Sequence, residues 1–403
     1  MYKRILTKVT TGALLIMLTV VGCQNVTDVS DVNTPENKQA LEGQYIVVMK
    51  DSPTGKFKIG NANQVNDVRS DIMTNANIGE ERIVNTYSNT IAGFTARLDV
   101  DQLNKLRADK NVKYIEKDRI VTFAPPCGTP NGGPCDGDGG GDDGGSNSQE
   151  IPYGITRVNG GATYTGSNVA WVIDSGIDLD HPDLNVDASL GFNAFTKGKD
   201  SKSLDDGYGH GTHVAGTIAA VDNSVGVIGV AAGAQVIPVK VLDSRGSGSY
   251  SGVIAGVDHV GANGSSGDVA NMSLGGPTSQ ALDDAVLAAS SNGIIFTLAA
   301  GNDGSDANNS SPARVNGSNI YTISAMDSND NWASFSNFGN PPIDYAAPGV
   351  SVTSTWKNGG YNTISGTSMA APHAAGVLLL GNAGSDGTVN GDPDGDSDPI
   401  IVN

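Results

Sequence analysis

From Ile151 to about Leu380, short runs of almost purely apolar residues alternate with longer stretches of helical spacing. Val169-Ala170-Trp171-Val172-Ile173 is the first run, and Val236 to Leu242, Ile294 to Ala300 and Ile320 to Ala325 follow it. A strand with one wet face alternates apolar and polar residues, whereas a strand apolar throughout is covered on both faces, as in a parallel sheet flanked by helices. The pattern predicts an α/β fold: a mostly parallel, doubly wound sheet with helices on both faces. Between Gly43 and Phe123 the rhythm differs. Tyr45-Ile46-Val47-Val48-Met49 and Ile91 to Ala96 read as strands, and Val112 to Ile115 as a closing strand. Asp99 to Asp109 reads as a helix, opened by acidic residues and with Leu103 and Leu106 on one face. Strands and helices mixed in so short a span predict a small α+β domain of the ferredoxin-like kind.

Breaks in the pattern set the boundaries. Residues 23–42 are polar and read as a tether, and 124–148 as a linker, because Pro125-Pro126 followed by Gly and Asp cannot build a core. Residues 381–403 are again Gly- and Asp-rich and are expected to be irregular. The catalytic-size unit is thus 149–380, preceded by the small domain 43–123. At the start, Lys3, Arg4 and Lys8 precede an apolar run, Ala13 to Val21, too short to span a bilayer comfortably. Residues 1–22 therefore read as an export signal. It ends in Val20-Val21-Gly22-Cys23, which resembles a bacterial lipobox and marks Cys23 for lipidation as the mature N-terminus; the alternative is ordinary cleavage near Gly22.

Composition narrows the choices. A net charge of −19 over 403 residues argues against a nucleic-acid partner. The cysteines are Cys23, Cys127 and Cys135, so a cysteine nucleophile or Cys-rich metal site is excluded from 149–403. Outside the cell a Cys127–Cys135 disulfide is expected, closing a short Gly/Pro-rich loop. The acidic runs Asp136 to Asp143 and Asp392 to Asp398 lack a complete EF-hand pattern and read as solvated loops.

In open α/β sheets chemistry gathers at the carboxyl ends of strands. The first buried run ends in Ile173-Asp174-Ser175-Gly176, where a carboxylate is costly unless something charged or hydrogen-bonding meets it. Taken alone, such an Asp is a turn residue or helix cap. Gly209-His210-Gly211-Thr212-His213-Val214-Ala215-Gly216 reads as a tightly packed helix N-terminus, and the glycines around His210 imply that access to it is needed. His210 with His213 raises a metal site, but no third ligand stands at a usual spacing. Ser365-Gly366-Thr367-Ser368-Met369-Ala370-Ala371-Pro372-His373 reads as a loop entering a buried helix, with Ser368 where the helix dipole favours developing negative charge. A serine there is, by itself, an N-cap.

In this order the three segments resemble the subtilisin-like serine peptidases, whose triad runs Asp, His, Ser. Val172-Ile173-Asp174-Ser175-Gly176-Ile177, His210 to Gly216 and Gly366-Thr367-Ser368-Met369-Ala370 each match a motif of that family, and the similarity covers most of Gln149 to about Leu380. The resemblance implies an endopeptidase with Ser368 as nucleophile, His210 as general base and acid, and Asp174 as its orienting partner. It implies oxyanion donors from the Asn302 side chain and the Ser368 backbone N–H. Gly248-Ser249-Tyr250 and Ser273-Leu274-Gly275 resemble edge segments that hold an extended peptide by backbone pairing, which implies broad specificity. A pocket walled by Leu274-Gly275 and Ala299-Ala300-Gly301, without a charge, implies large apolar P1 residues. The resemblance also implies a structural calcium ion held by Gln149, Asp183, Asn223 and the carbonyls of Val221, Val225 and Val227.

Residues 43–123 resemble the inhibitory propeptides of the same family, through the strand–helix order, Ile91-Ala92-Gly93-Phe94 and Tyr114-Ile115-Glu116. The expected protein is a secreted or envelope-anchored bacterial lipoprotein, monomeric, acting on proteins and peptides. Its own propeptide is a partner, and its lipid anchor is its one contact with a membrane. Two other readings remain: a peptide ligase or cyclase, in which an amine captures the acyl-enzyme, and an inactive surface-binding lipoprotein, against which the complete set Asp174, His210, Ser368 and Asn302 argues. One departure from the family is plain. Its catalytic domains usually continue well past the serine helix, and Gly381 to Asn403 must replace that packing or leave it missing.

Overall fold

The computed structural model describes residues 40–50, 60–122 and 148–403. The leader 1–22, Cys23, the tether up to residue 39, Phe123, and the linker with Cys127, Cys135 and the run from Asp136 to Asp143 lie outside the described residues.

The N-terminal domain runs β1 (Ala40–Met49), α1 (Ala62–Ala76), β2 (Ile83–Tyr87), β3 (Gly93–Arg97), α2 (Val100–Ala108) and β4 (Val112–Thr122). Its antiparallel sheet has the order β4-β1-β3-β2, the β-α-β-β-α-β arrangement of ferredoxin-like domains. α2 starts where its sequence directs. Asp99 accepts from the Gln102 N–H at 2.9 Å and Gln102 accepts from the Asp99 N–H at 3.2 Å, a capping box that satisfies two otherwise free donors.

The larger unit is built on a nine-stranded sheet. In chain order its parts are β5 (Ala170–Asp174), β6 (Phe192–Asn193), α3 (His210–Ala219), β7 (Val236–Lys240), the short strand β8 (Ser247–Ser249), α4 (Tyr250–Asn263), β9 (Val269–Met272), α5 (Gln280–Ser290), β10 (Ile295–Ala299), β11 (Ile320–Met326) and β12 (Ile343–Pro348). A hairpin of β13 (Val352–Trp356) and β14 (Gly360–Ile364) leads into α6 (Thr367–Leu380), followed by β15 (Gly384–Thr388) and β16 (Pro399–Val402). The sheet order is β15-β16-β12-β11-β10-β9-β5-β7-β6, parallel throughout except for edge strand β15. Because the chain places β6 and β7 on one side of β5 and every later strand on the other, β5 is the switch point where such sheets open a crevice. Alternation along β5 divides the core. Trp171 and Ile173 pack with α4 and α5, and Ala170 and Val172 with α3 and α6.

The N-terminal domain packs on α4 and α5. Ile46, Val48, Tyr87, Ile91 and Val121 join the same apolar cluster as Val253, Val257, Leu282 and Val286. Two of its carboxylates meet free donors in the first turns of those helices: Asp118 accepts from the Ser251 N–H at 3.1 Å, and Glu116 from the Ala281 N–H at 3.1 Å. In return Asp258 of α4 accepts from the backbone N–H groups of Ser88, Asn89 and Thr90 at 3.2, 2.8 and 2.8 Å.

Residues 381–403 are not irregular, contrary to their composition. Ile400-Ile401-Val402, three consecutive β-branched residues, are buried in β16, which lies parallel to β12. The run from Asp392 to Asp398 is likewise not a wholly solvated loop. Asp398 is buried, accepting from Ser324 Oγ and, at 2.9 Å, from Asn340 Nδ2. Burial, helped by the nearby charges of Asp392 and Asp394, pushes the Asp398 carboxyl up to about 6. The folded form then holds a proton that the unfolded chain has released. This group's contribution to stability is fully present below the unfolded value of about 4 and lost as pH rises through about 6. Asp398→Asn, which mimics the protonated acid, should therefore raise the unfolding midpoint by about 2–6 °C at pH 8 and change it little at pH 4. Calorimetry on an inactive background checks this, and an equal shift at both pH values would contradict it.

Candidate active site

Asp174 closes β5, His210 opens α3 and Ser368 is the second residue of α6. His210 Nδ1 stands 2.9 Å from each Asp174 oxygen, with both side chains fully buried. The Ser175 N–H donates to Asp174 Oδ1 at 2.7 Å and fixes the carboxylate. Ser368 Oγ donates to the Ser273 carbonyl at 3.0 Å, while Ser273 Oγ donates back to the Ser368 carbonyl at 2.7 Å. Ser273 thus braces the serine turn, and Leu274 and Gly275 after it line a neighbouring cleft.

α3 has no side-chain cap from its own Gly209. Asp206 supplies one. Its Oδ1 accepts from the Gly209 N–H at 2.8 Å and Ser175 Oγ at 2.9 Å, and its Oδ2 from the Thr212 N–H at 2.9 Å and Thr212 Oγ1 at 2.7 Å. Asp206 carries no catalytic motif, and the one local signal for it is its place a few residues before a helix start, an ordinary capping position. The flanking glycines also have a different reason from access. A Cβ on Gly211 would stand 2.1 Å from the Gly176 carbonyl, so glycine lets α3 press against the end of β5. His213 points elsewhere: its Nε2 lies 3.0 Å from the Val352 carbonyl and 3.2 Å from that of Asn362, and burial draws its pKa down to about 3.

Asn302 is exposed, and its Oδ1 is fixed by the Thr367 N–H at 2.8 Å and Thr367 Oγ1 at 2.9 Å. The amide nitrogen is thereby turned away from Thr367. A Cβ on Gly366 would sit 3.4 Å from Asn302 Nδ2 and 3.7 Å from the Ser368 N. Glycine leaves a hollow there that both donors border, a place for a small anionic atom.

Beside it lies a cleft of about 540 Å³, lined by Leu274, Gly275, Ala299, Ala300, Gly301, Asn302 and Ser368 among others. Leu274, Ala299, Ala300 and Ala313 give it a buried apolar wall, while Thr367 and Ser368, also buried, line it with hydroxyls. The expectation of a pocket without any charge needs correction, because exposed Asp303 also lines it. Thr122 at the end of β4 reaches the same cleft. The preceding residues pair antiparallel with β8: Ile120 with Ser249, Val121 with Gly248 and Thr122 with Ser247. Tyr250 is not part of that edge. It is the first residue of α4, buried, and its hydroxyl donates to the Pro277 carbonyl.

Gln149, Asp183, Val221, Asn223 and Val227, five of the residues expected to hold calcium, lie together. Gln149 Nε2 lies 2.7 Å from the Val221 carbonyl and 3.2 Å from that of Val227, and Asn223 Nδ2 lies 2.7 Å from Asp183 Oδ1. Both amide nitrogens face oxygens of the same set, and turning each amide over would present its oxygen instead. The set therefore fits a hard, oxygen-seeking ion. Among the described residues no group of three or more His, Cys, Asp or Glu side chains is placed to hold a metal. Burial raises the Asp183 pKa. No helix among the described residues is long and apolar enough to cross a membrane.

A carboxylate–imidazole pair and a serine at a helix N-terminus, set at the carboxyl ends of a parallel sheet, define the class of serine hydrolases with nucleophile and base on separate elements. Comparison with known proteins gives the family. Residues 166–385 match the model of the subtilase family, and residues 44–124 match that of the peptidase inhibitor I9 domain. Alkaline serine exoprotease A of Vibrio alginolyticus is 41% identical over 309 residues, 74% of this chain and 53% of that protein. Subtilisin NAT of Bacillus subtilis subsp. natto is 42% identical over 294 residues, 71% of this chain and 69% of that protein. A crystal structure of a cold-adapted subtilisin-like serine proteinase is similar at 37% identity with a TM-score of 0.53, covering 63% of this chain and 98% of that one. The chain belongs to the subtilase family of serine peptidases, with an I9-type domain ahead of the catalytic one. It spans about half the length of the Vibrio relative.

Proposed function

We propose that the protein is a secreted endopeptidase that hydrolyses peptide bonds through an acyl-enzyme on Ser368. One observation supports this reading above the others: the chain's own segment from Ile120 to Thr122 lies as an added strand on Ser247 to Ser249 and enters the cleft lined by Ser368. A substrate bound in the same way presents its carbonyl to Ser368 Oγ. His210 takes the hydroxyl proton and delivers it to the leaving amine, Asp174 holds the imidazole and balances its charge, and the oxyanion sits between Asn302 Nδ2 and the Ser368 N–H. Backbone pairing reads little sequence, so specificity is broad, and the apolar wall of Leu274, Ala299, Ala300 and Ala313 favours large apolar P1 residues. Export by residues 1–22 and lipidation of Cys23 would hold the enzyme at the cell envelope.

The test is labelling by a fluorophosphonate, followed by mass spectrometry of peptide products formed with a competing amine. Label on Ser368 and hydrolysed products support the reading. No label would favour an inactive binding lipoprotein, and predominantly aminolysed products would favour a ligase.

Calcium, when bound, supplies stability and no chemistry. Gln149, Asp183, Asn223 and the carbonyls of Val221, Val225 and Val227 would hold it. An ion bound by the native state alone stabilises that state by mass action. A chelator should therefore lower the unfolding midpoint of an inactive Ser368 variant, and Asp183→Ala should lower it to the same value and abolish the chelator effect. An unchanged midpoint in both would remove the site.

A further inference from the structure

We propose that Lys240 is a positioning residue for the Asp174–His210 pair, an inference that rests on the triad reading above. β7 lies beside β5 in parallel register with Lys240 opposite Asp174, and Lys240 is 1% exposed in a strand whose other side chains are apolar. Its Nζ donates to the Ser175 carbonyl at 2.7 Å and to the Asp205 carbonyl at 2.8 Å, and stands 3.9 Å from Asp200 Oδ1.

Both carbonyls belong to residues next to groups that hold the pair. Ser175 donates its N–H to Asp174 Oδ1 at 2.7 Å, and its Oγ links Asp206 to the Gly211 N–H at 3.0 Å. Asp205 precedes Asp206, the carboxylate that caps the helix bearing His210. One ammonium thus ties the segment that sets the Asp174 carboxylate to the loop that sets the His210 helix. Nothing in the strand itself requires a charge, since an apolar side chain fills such a position at lower cost. What lysine adds is the two carbonyl bonds. Asp200, Asp205, Asp206 and Asp243 face the ammonium and oppose the effect of its burial.

The neutral variant Lys240→Met leaves the strand filled and removes the clamp. With active sites counted by fluorophosphonate titration of the full-length protein's matured product, kcat on a peptide amide should fall roughly 10- to 100-fold, the scale of a small misplacement of reacting groups. KM should stay within about twofold, because the cleft and β8 are untouched, and the low-field proton resonance of the His210 Nδ1–H should shift or broaden. Lys240→Arg should restore part of the rate. If Lys240→Met does not fold, Lys240→Gln takes its place with the same expectation. A kcat within about twofold of wild type in whichever neutral variant folds overturns the proposal. So does failure of both to fold, which would make Lys240 a folding residue. Ser368→Ala is labelled in parallel. Label on wild type and none on that variant preserves the triad reading whatever Lys240 shows, whereas label on both sinks the triad reading itself.

Discussion

Ser368→Ala should give a folded protein whose turnover of casein is lower by roughly a million-fold, the scale known for subtilisin when its own nucleophile is removed. The serine side chain donates to the Ser273 carbonyl at 3.0 Å and stands at the start of a helix whose later buried side chains are apolar except for His373. Alanine therefore fits the site without a cavity or an orphaned donor, and the loss falls on chemistry alone. His210→Ala should be comparably inactive, because the proton then has no acceptor. The two losses should not add, since nucleophile and base act as one unit. Circular dichroism separates a folded inactive protein from an unfolded one. Casein hydrolysis by purified Ser368→Ala within an order of magnitude of wild type would sink the assignment.

Deleting residues 43–123 should leave a catalytic domain that is mostly misfolded and that regains activity when the separate domain is added. The sheet joins segments far apart in sequence, such as Ala170 with Val269 and Ala346 with Ile400, and such parallel pairings form slowly. The N-terminal domain buries Tyr87, Ile91 and Val121 against α4 and α5 and meets the first turn of each with a carboxylate. It can stabilise those two helices before the sheet closes. With its end in the cleft, the precursor should then cut itself between Phe123 and Ser148, with Phe123 as the expected P1 residue. The Ser368→Ala precursor should stay at full length apart from signal removal. Full activity of the truncated chain without help would make residues 43–123 a passenger.

How far the sequence reached can be read from single residues. Asp174, His210 and Ser368 stand in local motifs, so each could be recognised without knowing what it would meet. The buried strands were legible because two covered faces demand a continuous apolar run. α1 was passed over because its buried side chains, Val65, Val68, Ile72 and Met73, are diluted by Asn, Asp and Arg. β16 was hidden by the Gly and Asp around it, although burial is decided by three residues and not by average composition. Asp206 and Lys240 were missed for a common reason. Each takes its meaning from the groups it meets. Asp206 meets N–H groups of the helix that follows it, where one Asp among several near the helix start gives no hint of its catalytic neighbour. Lys240 meets the carbonyls of Ser175 and Asp205, far away in sequence, to which no spacing rule points.

If the N-terminal domain acts as proposed, the pairing of β4 with β8 also sets the concentration at which the enzyme would meet its own inhibitor. While the chain is continuous, that strand is tethered beside the edge that receives it, and such tethering can be equivalent to millimolar ligand. Dilution of the sample does not weaken it. Once the chain is cut after β4 the same strand becomes a separate molecule, held only by its affinity. Inhibition then falls with dilution and with every further cut that opens the N-terminal domain. On the proposed reading, a cut after β4 would therefore also be the step that makes inhibition concentration-dependent, so a dense population of cut molecules would stay inhibited longer than a sparse one.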